Sequence, residues 1–153
     1  MRRKLDAVKK TATDADYQAL AEFRYHIGRY LEFSDRTAKT AGLEPRQYQL
    51  LLAIRGLPET IDPTVGALAQ RLRAHHHSTV ELINRAEANE LVERLRVGTH
   101  VLVRLTKKGE RVLARVVDKR LQQLGVAGPA LVKSLQELLN RDRRSNKKQK
   151  VRN

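Results

Sequence analysis

The chain contains Thr64-Val-Gly-Ala-Leu-Ala-Gln-Arg-Leu-Arg-Ala-His-His-His-Ser-Thr-Val-Glu-Leu-Ile-Asn-Arg85 and, after a short spacer, Leu91-Val-Glu-Arg-Leu-Arg-Val-Gly-Thr-His-Val-Leu-Val-Arg-Leu-Thr-Lys-Lys-Gly109. Leu68, Ala69 and Leu72 recur at helical spacing behind Thr64, whose hydroxyl can accept from the first free amides of a helix. A second helix follows from about His76 to Asn89, with Thr79, Leu82, Ile83 and Ala86 on its buried stripe. Its start is open by about two residues, because Ser78-Thr-Val-Glu81 also fits a capping box. Across 92–105 the period changes from helical to alternating. Val101, Val103 and Leu105 share one face, and Val97-Gly98-Thr99-His100 forms the turn between two strands.

Helix, polar break, helix and tight hairpin in this order define a winged helix-turn-helix, with its second helix dimensioned for a DNA major groove. Upstream, a long helix is predicted from Asp14 to about Ala41, with Asp14 or Asp16 at its positive end. Leu20, Phe23, Ile27, Tyr30 and Leu31, then Ser34, Thr37 and Ala38, follow helical spacing, and Gly42 is a C-terminal stop. Pro45 opens another helix that continues through Tyr48, Leu51, Leu52 and Ile54 to about Leu57. The proline-bearing stretch 56–64 reads as a loop. Downstream, a helix from Lys107 to about Leu124 is expected to break at Gly125–Pro129, with a further helix from Ala130 to Asn140.

The fold class is therefore mainly α with a small β-hairpin wing. A single domain is expected over 14–140, comprising a winged helix at about 45–106 and flanking helices at about 14–41 and 107–140. Residues 1–13 read as a basic flexible arm, and 141–153 as a basic disordered tail without apolar spacing.

The charge distribution agrees with this division. The chain has 31 Lys+Arg against 17 Asp+Glu, a net +14. Residues 1–13 hold five basic side chains and one acid, and residues 141–153 hold seven and one. Within 71–111 there are nine basic and five acidic side chains, whereas 14–70 and 112–140 together balance at ten against ten. The excess of the body thus lies wholly in the proposed DNA-reading segment, which implies a polyanionic partner. No apolar run approaches the roughly 20 residues that span a bilayer, and the N-terminus lacks a signal-peptide pattern. The absence of cysteine excludes disulfides and thiolate chemistry. A cytoplasmic, nucleoid-associated placement is expected.

The candidate DNA-binding residues are Arg73 in the break, His75, His76, His77, Ser78, Val80, Glu81 and Asn84 on the second helix, and Arg94 and Arg96 on the wing. Asn can bond adenine bidentately, Glu can accept from cytosine, and His can donate to a phosphate or a guanine. Wing cations suit the negative potential of a narrow minor groove. Alternatively, the polar face is merely solvated and Arg94 pairs with Glu93 or Glu110. Three consecutive histidines point about 100° apart on a helix and cannot converge on one ion, so no metal site is expected. There is no Gly-rich phosphate loop, Gly-x-Ser-x-Gly elbow or His-Glu-x-x-His, so an enzyme is not expected. His26, Arg29, Tyr30 and Tyr48 could line an effector pocket, although aromatic residues at helical spacing more commonly pack a core or a dimer.

Leu43-Glu-Pro-Arg-Gln-Tyr-Gln-Leu-Leu, Val65-Gly-Ala-Leu-Ala-Gln-Arg-Leu, Ser78-Thr-Val, Leu91-Val-Glu-Arg and Leu105-Thr-Lys-Lys-Gly, in this order across about 16–140, resemble the MarR family of bacterial transcription regulators. The resemblance implies a homodimer with intertwined terminal helices, one winged helix per subunit and a palindromic operator. It also implies an anionic or phenolic effector between the dimerisation and DNA-binding regions. Three positions depart from the family pattern: the wing loop is shorter and lacks Asp-x-Arg, Glu90 stands where glycine is usual, and Glu81 where relatives often carry a base. The expected function is a ligand-responsive, sequence-specific DNA-binding regulator, a repressor without cofactor other than a small aromatic or anionic effector. The alternatives are a nonspecific architectural nucleic-acid-binding protein driven by its basic ends, and a protein–protein module that no longer binds DNA.

Overall fold

A computed structural model describes residues 12–150, with side chains for 12–140. The elements in chain order are α1 (Asp14–Thr40), α2 (Pro45–Arg55), α3 (Val65–Leu72), α4 (His76–Ala88), β1 (Val92–Val97), β2 (His100–Leu105) and α5 (Lys107–Lys150). They form two compact units, one spanning Leu31–Leu124 and the other taking the chain up to Tyr30 and from Gly125 onward. The winged helix expected at about 45–106 lies within the first unit. Apart from Ala12 and Thr13, the arm expected at 1–13 lies outside the described residues.

Local chemistry accounts for the helix ends. Thr13 precedes α1, and its N–H and hydroxyl both donate to Asp16 Oδ2, at 2.7 and 2.9 Å. Thr64 Oγ1 accepts from the Ala67 N–H at 3.2 Å at the start of α3, as expected. Helices α1, α3 and α4 all close in the same way, with one amide reaching back five residues and its predecessor three: Leu43 to Ala38 and Gly42 to Lys39, Ala74 to Ala69 and Arg73 to Gln70, Leu91 to Ala86 and Glu90 to Glu87. This double closure requires a left-handed residue between helix and exit. Gly42 supplies it after α1, but Arg73 (φ 51°) and Glu90 (φ 57°) supply it after α3 and α4.

The core of the Leu31–Leu124 unit follows the stripes read for α3 and α4, but in α2 Leu50 is buried and Leu52, read as apolar stripe, is exposed. Leu50 and Leu51 of α2, Leu68 of α3, Leu82, Ile83 and Ala86 of α4, Val92 and Val103 of the hairpin, and Val112 and Val116 of α5 are all buried. Within this unit Arg120 of α5 is also buried, its guanidinium over the Phe33 ring at 5.9 Å and its Nη1 donating to Gln123 Oε1 at 2.9 Å. The hairpin is antiparallel, with register Val92↔Leu105 through Val97↔His100. That leaves a two-residue turn with Gly98 at φ 60° in its first position, the arrangement of a type II′ hairpin. β2 is further held by the Val103 N–H donating to the Pro63 carbonyl at 2.9 Å.

Two sequence expectations are corrected at the C-terminal end. α5 does not break at Gly125–Pro129 but continues as one helix with Pro129 inside it. A proline clashes both with the carbonyl four residues back and with the Cβ of the residue before it. Here Gly128 precedes the proline and has no Cβ, which removes the second clash. The helix also does not stop at Asn140, and the backbone of 141–150, expected to be disordered, is helical. Lys, Arg and Gln are good helix formers that need no buried stripe to extend an existing helix.

The wing base is closed by Leu105-Thr-Lys-Lys-Gly109. Thr106 Oγ1 accepts from the Gly109 N–H at 3.0 Å and donates to the Glu90 carbonyl at 2.6 Å, while the Thr106 N–H donates to the Leu91 carbonyl at 3.1 Å. A Cβ on Gly109 would fall 2.0 Å from the Leu91 carbonyl oxygen, which is backbone and cannot rotate away. Gly109→Ala is therefore expected to destabilise the fold by about 1–3 kcal/mol, as overpacking of a rigid contact does. Chemical denaturation checks this; wild-type stability in the variant contradicts the contact.

Candidate nucleic-acid interface

α4 begins at His76, with His75 as its N-terminal flanking residue, so the earlier of the two starts is observed and Ser78 and Glu81 lie inside the helix. Thr79 is buried and its hydroxyl donates to the His75 carbonyl at 3.0 Å. Burial of Thr79, Leu82, Ile83 and Ala86 turns the opposite face outward. His76, His77, Ser78, Glu81 and Asn84 are exposed on it, and Val80 is partly covered. His75 and Arg73, in the turn between α3 and α4, are exposed as well. His77 Nε2 lies 3.2 Å from Glu81 Oε1, one helical turn away. Among the described residues no group of three His, Asp or Glu side chains could hold a metal ion.

The wing sorts its side chains by strand alternation. The register places Val92, Arg94, Arg96, Val101, Val103 and Leu105 on one face, and Glu93, Leu95, His100, Leu102 and Arg104 on the other. Glu93 and Arg104 are cross-strand partners and form an ion pair, Nε to Oε1, at 2.8 Å. Arg94 therefore cannot share Glu93 with Arg104 across the pleat, and it does not pair with Glu110 either. Its guanidinium turns toward α4, where Nη1 donates to Glu87 Oε2 and Nη2 donates to Asn84 Oδ1 at 2.6 Å. The backbone N–H of Arg94 also donates to Glu87 Oε1, at 3.3 Å. Arg96, one pleat nearer the turn, is exposed with no ion pair or hydrogen bond among the described residues.

Glu87 was not among the residues read from the sequence. It lies three residues after Asn84, on the same side of α4, and that spacing was the available signal. Its link to Arg94 spans a helix, a turn and a strand, which no local pattern reports. The effector candidates are placed as follows. His26 is half-buried on α1, 3.8 Å from Glu22, with its ring edge-on to Tyr25 at 5.5 Å. The Arg29 guanidinium lies over the Tyr25 ring at 5.9 Å. Tyr30 is partly exposed, whereas Tyr48 is buried in the core of the winged-helix unit.

Two helices joined by a tight turn, the second presenting a polar face beside a basic hairpin, make this a winged helix-turn-helix protein. Residues 41–100 match the sequence model of the MarR family. An uncharacterised HTH-type transcriptional regulator of Bacillus subtilis, YsmB, is 33% identical over 76 residues, which cover 48% of this chain and 52% of that protein. The match thus spans about half the length of that curated relative. A MarR family protein from Bacillus stearothermophilus has the same fold with a TM-score of 0.65 at 25% identity, over 92% of this chain and 99% of the other. CouR from Rhodococcus jostii RHA1, solved with bound p-coumaroyl-CoA, also shares the fold, with a TM-score of 0.65 at 17% identity over 84% of this chain and 94% of that one.

The two wing ion pairs differ in exposure. Arg94 and Glu87 are 28% and 40% exposed, Arg104 and Glu93 57% and 48%. Glu87→Ala removes a multiply hydrogen-bonded carboxylate and is expected to cost about 1–2 kcal/mol. Glu93→Ala is expected to stay within about 0.5 kcal/mol, as exposed pairs do. Denaturant midpoints of the two variants check the order, and equal midpoints contradict it.

Proposed function

We propose that this protein is a sequence-specific DNA-binding transcriptional regulator that acts in the cytoplasm, on the nucleoid, as a homodimer on a palindromic operator. The observation that carries the reading is the outer face of α4: His76, His77, Ser78, Glu81 and Asn84 are exposed opposite a fully buried stripe. Arg73 and Arg96 flank this face at its turn and its wing, where cations meet phosphates or a minor groove. The charge excess of 71–111 and the match to MarR family residues support it. In the proposed complex each α4 enters a major groove, and the two half-sites lie about one turn, roughly 34–36 Å, apart.

Dimerisation is supported by apolar side chains left exposed on both terminal segments: Tyr17, Leu20 and Tyr25 before Tyr30, and Val126, Val132, Leu135 and Leu139 after Gly125. Such a density of uncovered large apolar groups marks an interface. The chain is read as a repressor whose small aromatic or anionic effector shifts the population between two dimer shapes. His26, Arg29 and Tyr30 are the residues proposed to meet the effector. Tyr48, buried in the core, acts through packing. The ligand carried by CouR supports effector binding only as a property of a protein with the same fold.

Selection of bound fragments from a random DNA pool tests the reading, with a palindromic consensus as the expected outcome. Replacing Glu81 and Asn84 by Ala should weaken consensus DNA by at least tenfold relative to random DNA. Equal weakening of both means that α4 does not read bases. Binding without a consensus, lost on deletion of 1–13 and 141–153, selects the nonspecific architectural alternative. Leu135→Glu with Leu139→Glu is expected to yield monomers in sedimentation and to abolish preference for the full palindrome over a single half-site.

A further inference from the structure

The Asn84–Arg94–Glu87 group has a consequence for which base α4 can read. A guanidinium carries five N–H donors and no acceptor. The atom of Asn84 that receives Arg94 Nη2 at 2.6 Å must therefore be the carbonyl oxygen, and chemistry alone fixes the amide orientation. Arg94 cannot turn away cheaply, because Glu87 holds both its Nη1 and its backbone N–H. Asn84 is exposed, and its Nδ2, with both donors to offer, is the part of the amide best placed for a ligand.

A free asparagine reads adenine by pairing its oxygen with N6–H and its amide N–H with N7. With one of the oxygen's two lone pairs taken by a charged donor, the oxygen is the poorer acceptor and the bidentate pair with adenine is weakened at that half. The NH2 group keeps both of its donors, which suits a base edge carrying two acceptors. In the major groove guanine presents that pattern, with N7 and O6. We infer that Arg94 is a positioning residue that orients Asn84 with its NH2 group outward and weakens its oxygen as an acceptor, so each half-site carries guanine rather than adenine opposite Asn84. Wing and reading helix then act as one specificity element, with Arg94 directed to α4 and only Arg96 free to meet the DNA backbone or minor groove. This inference rests on the proposed role of α4 as the reading helix.

The test compares consensus sequences selected from a random DNA pool by the full-length wild-type chain and by Asn84→Ala, Arg94→Ala, Glu87→Gln and Arg96→Ala, with thermal melting confirming that each variant folds. Asn84→Ala should lose preference at one position per half-site, which identifies the position it reads. Wild type should select guanine there. Arg94→Ala should move that position toward adenine by about tenfold in relative affinity while the other positions persist, and Glu87→Gln should shift it in the same direction. Arg96→Ala should leave the base unchanged and lower affinity for all sequences, with a shallower salt dependence. Guanine retained in Arg94→Ala, together with a uniform loss of affinity and a reduced salt slope, overturns the inference and makes Arg94 a backbone contact. Adenine selected by wild type also overturns it. Absence of any wild-type consensus instead removes the underlying reading of α4. If Arg94→Ala fails to fold, Glu87→Gln carries the same comparison, since it keeps the side-chain volume and weakens the hold on Arg94.

Discussion

The backbone of Leu91 is the point on which the winged helix turns. Its N–H closes α4 by donating to the Ala86 carbonyl, and its own carbonyl accepts from Thr106 at the start of α5. Gly109 passes so close to that carbonyl that no side chain fits. One residue therefore ties the end of α4, the first wing strand and the entry to α5. Because these contacts are backbone to backbone, they hold the angle between helix and wing whatever the surface side chains do. The Leu-Thr-Lys-Lys-Gly run is the sequence form of this closure: a threonine that both caps and donates, a lysine whose Nζ donates to the Asn89 carbonyl at 3.0 Å, and a glycine for the approach.

Strain is placed on both sides of α4. Arg73 and Glu90 hold left-handed backbone angles that cost L-residues roughly 1–2 kcal/mol each. Glycine would avoid the cost, and after α1 it does. At Glu90 the neighbourhood offsets part of it. The carbonyl accepts from Thr106 Oγ1, and the carboxylate lies 3.4 Å from Lys108 Nζ. At Arg73 the backbone N–H is satisfied by the Gln70 carbonyl, while the side chain is exposed and without an ion partner among the described residues.

The fold was legible wherever one local rule decided the element. Buried stripes at helical spacing located α2, α3 and α4, Thr64 marked a helix start, and a glycine in a two-residue turn set the hairpin register. In the stretch 125–129 glycine and proline each favour a break when taken alone. Gly128 beside Pro129 is a combination that eases a clash, and the break read there falls where α5 passes from one unit into the other. The site was half legible. The outward face of α4 followed from its inward face, but the partner of Arg94 did not. Alternation along β1 already sends Glu93 and Arg94 to opposite faces, so Glu93 was available only to Arg104. What remained was Glu87, reachable only once α4 and β1 are packed.

Charge within 71–111 has to be divided further before it explains a field. Arg94, Arg104 and Lys108 are each matched by Glu87, Glu93 and Glu90 inside the domain, so they shape the surface more than they charge it. Arg71, Arg73, Arg85, Arg96, Lys107 and Arg111 are exposed and have no ion pair among the described residues. Attraction to a polyanion depends on this second set, since a cation already paired must lose its partner before it can replace a counterion on a phosphate. The net excess of the segment is therefore carried by side chains around the α4 face and the base and edge of the wing. The paired cations set the geometry in which that excess is presented.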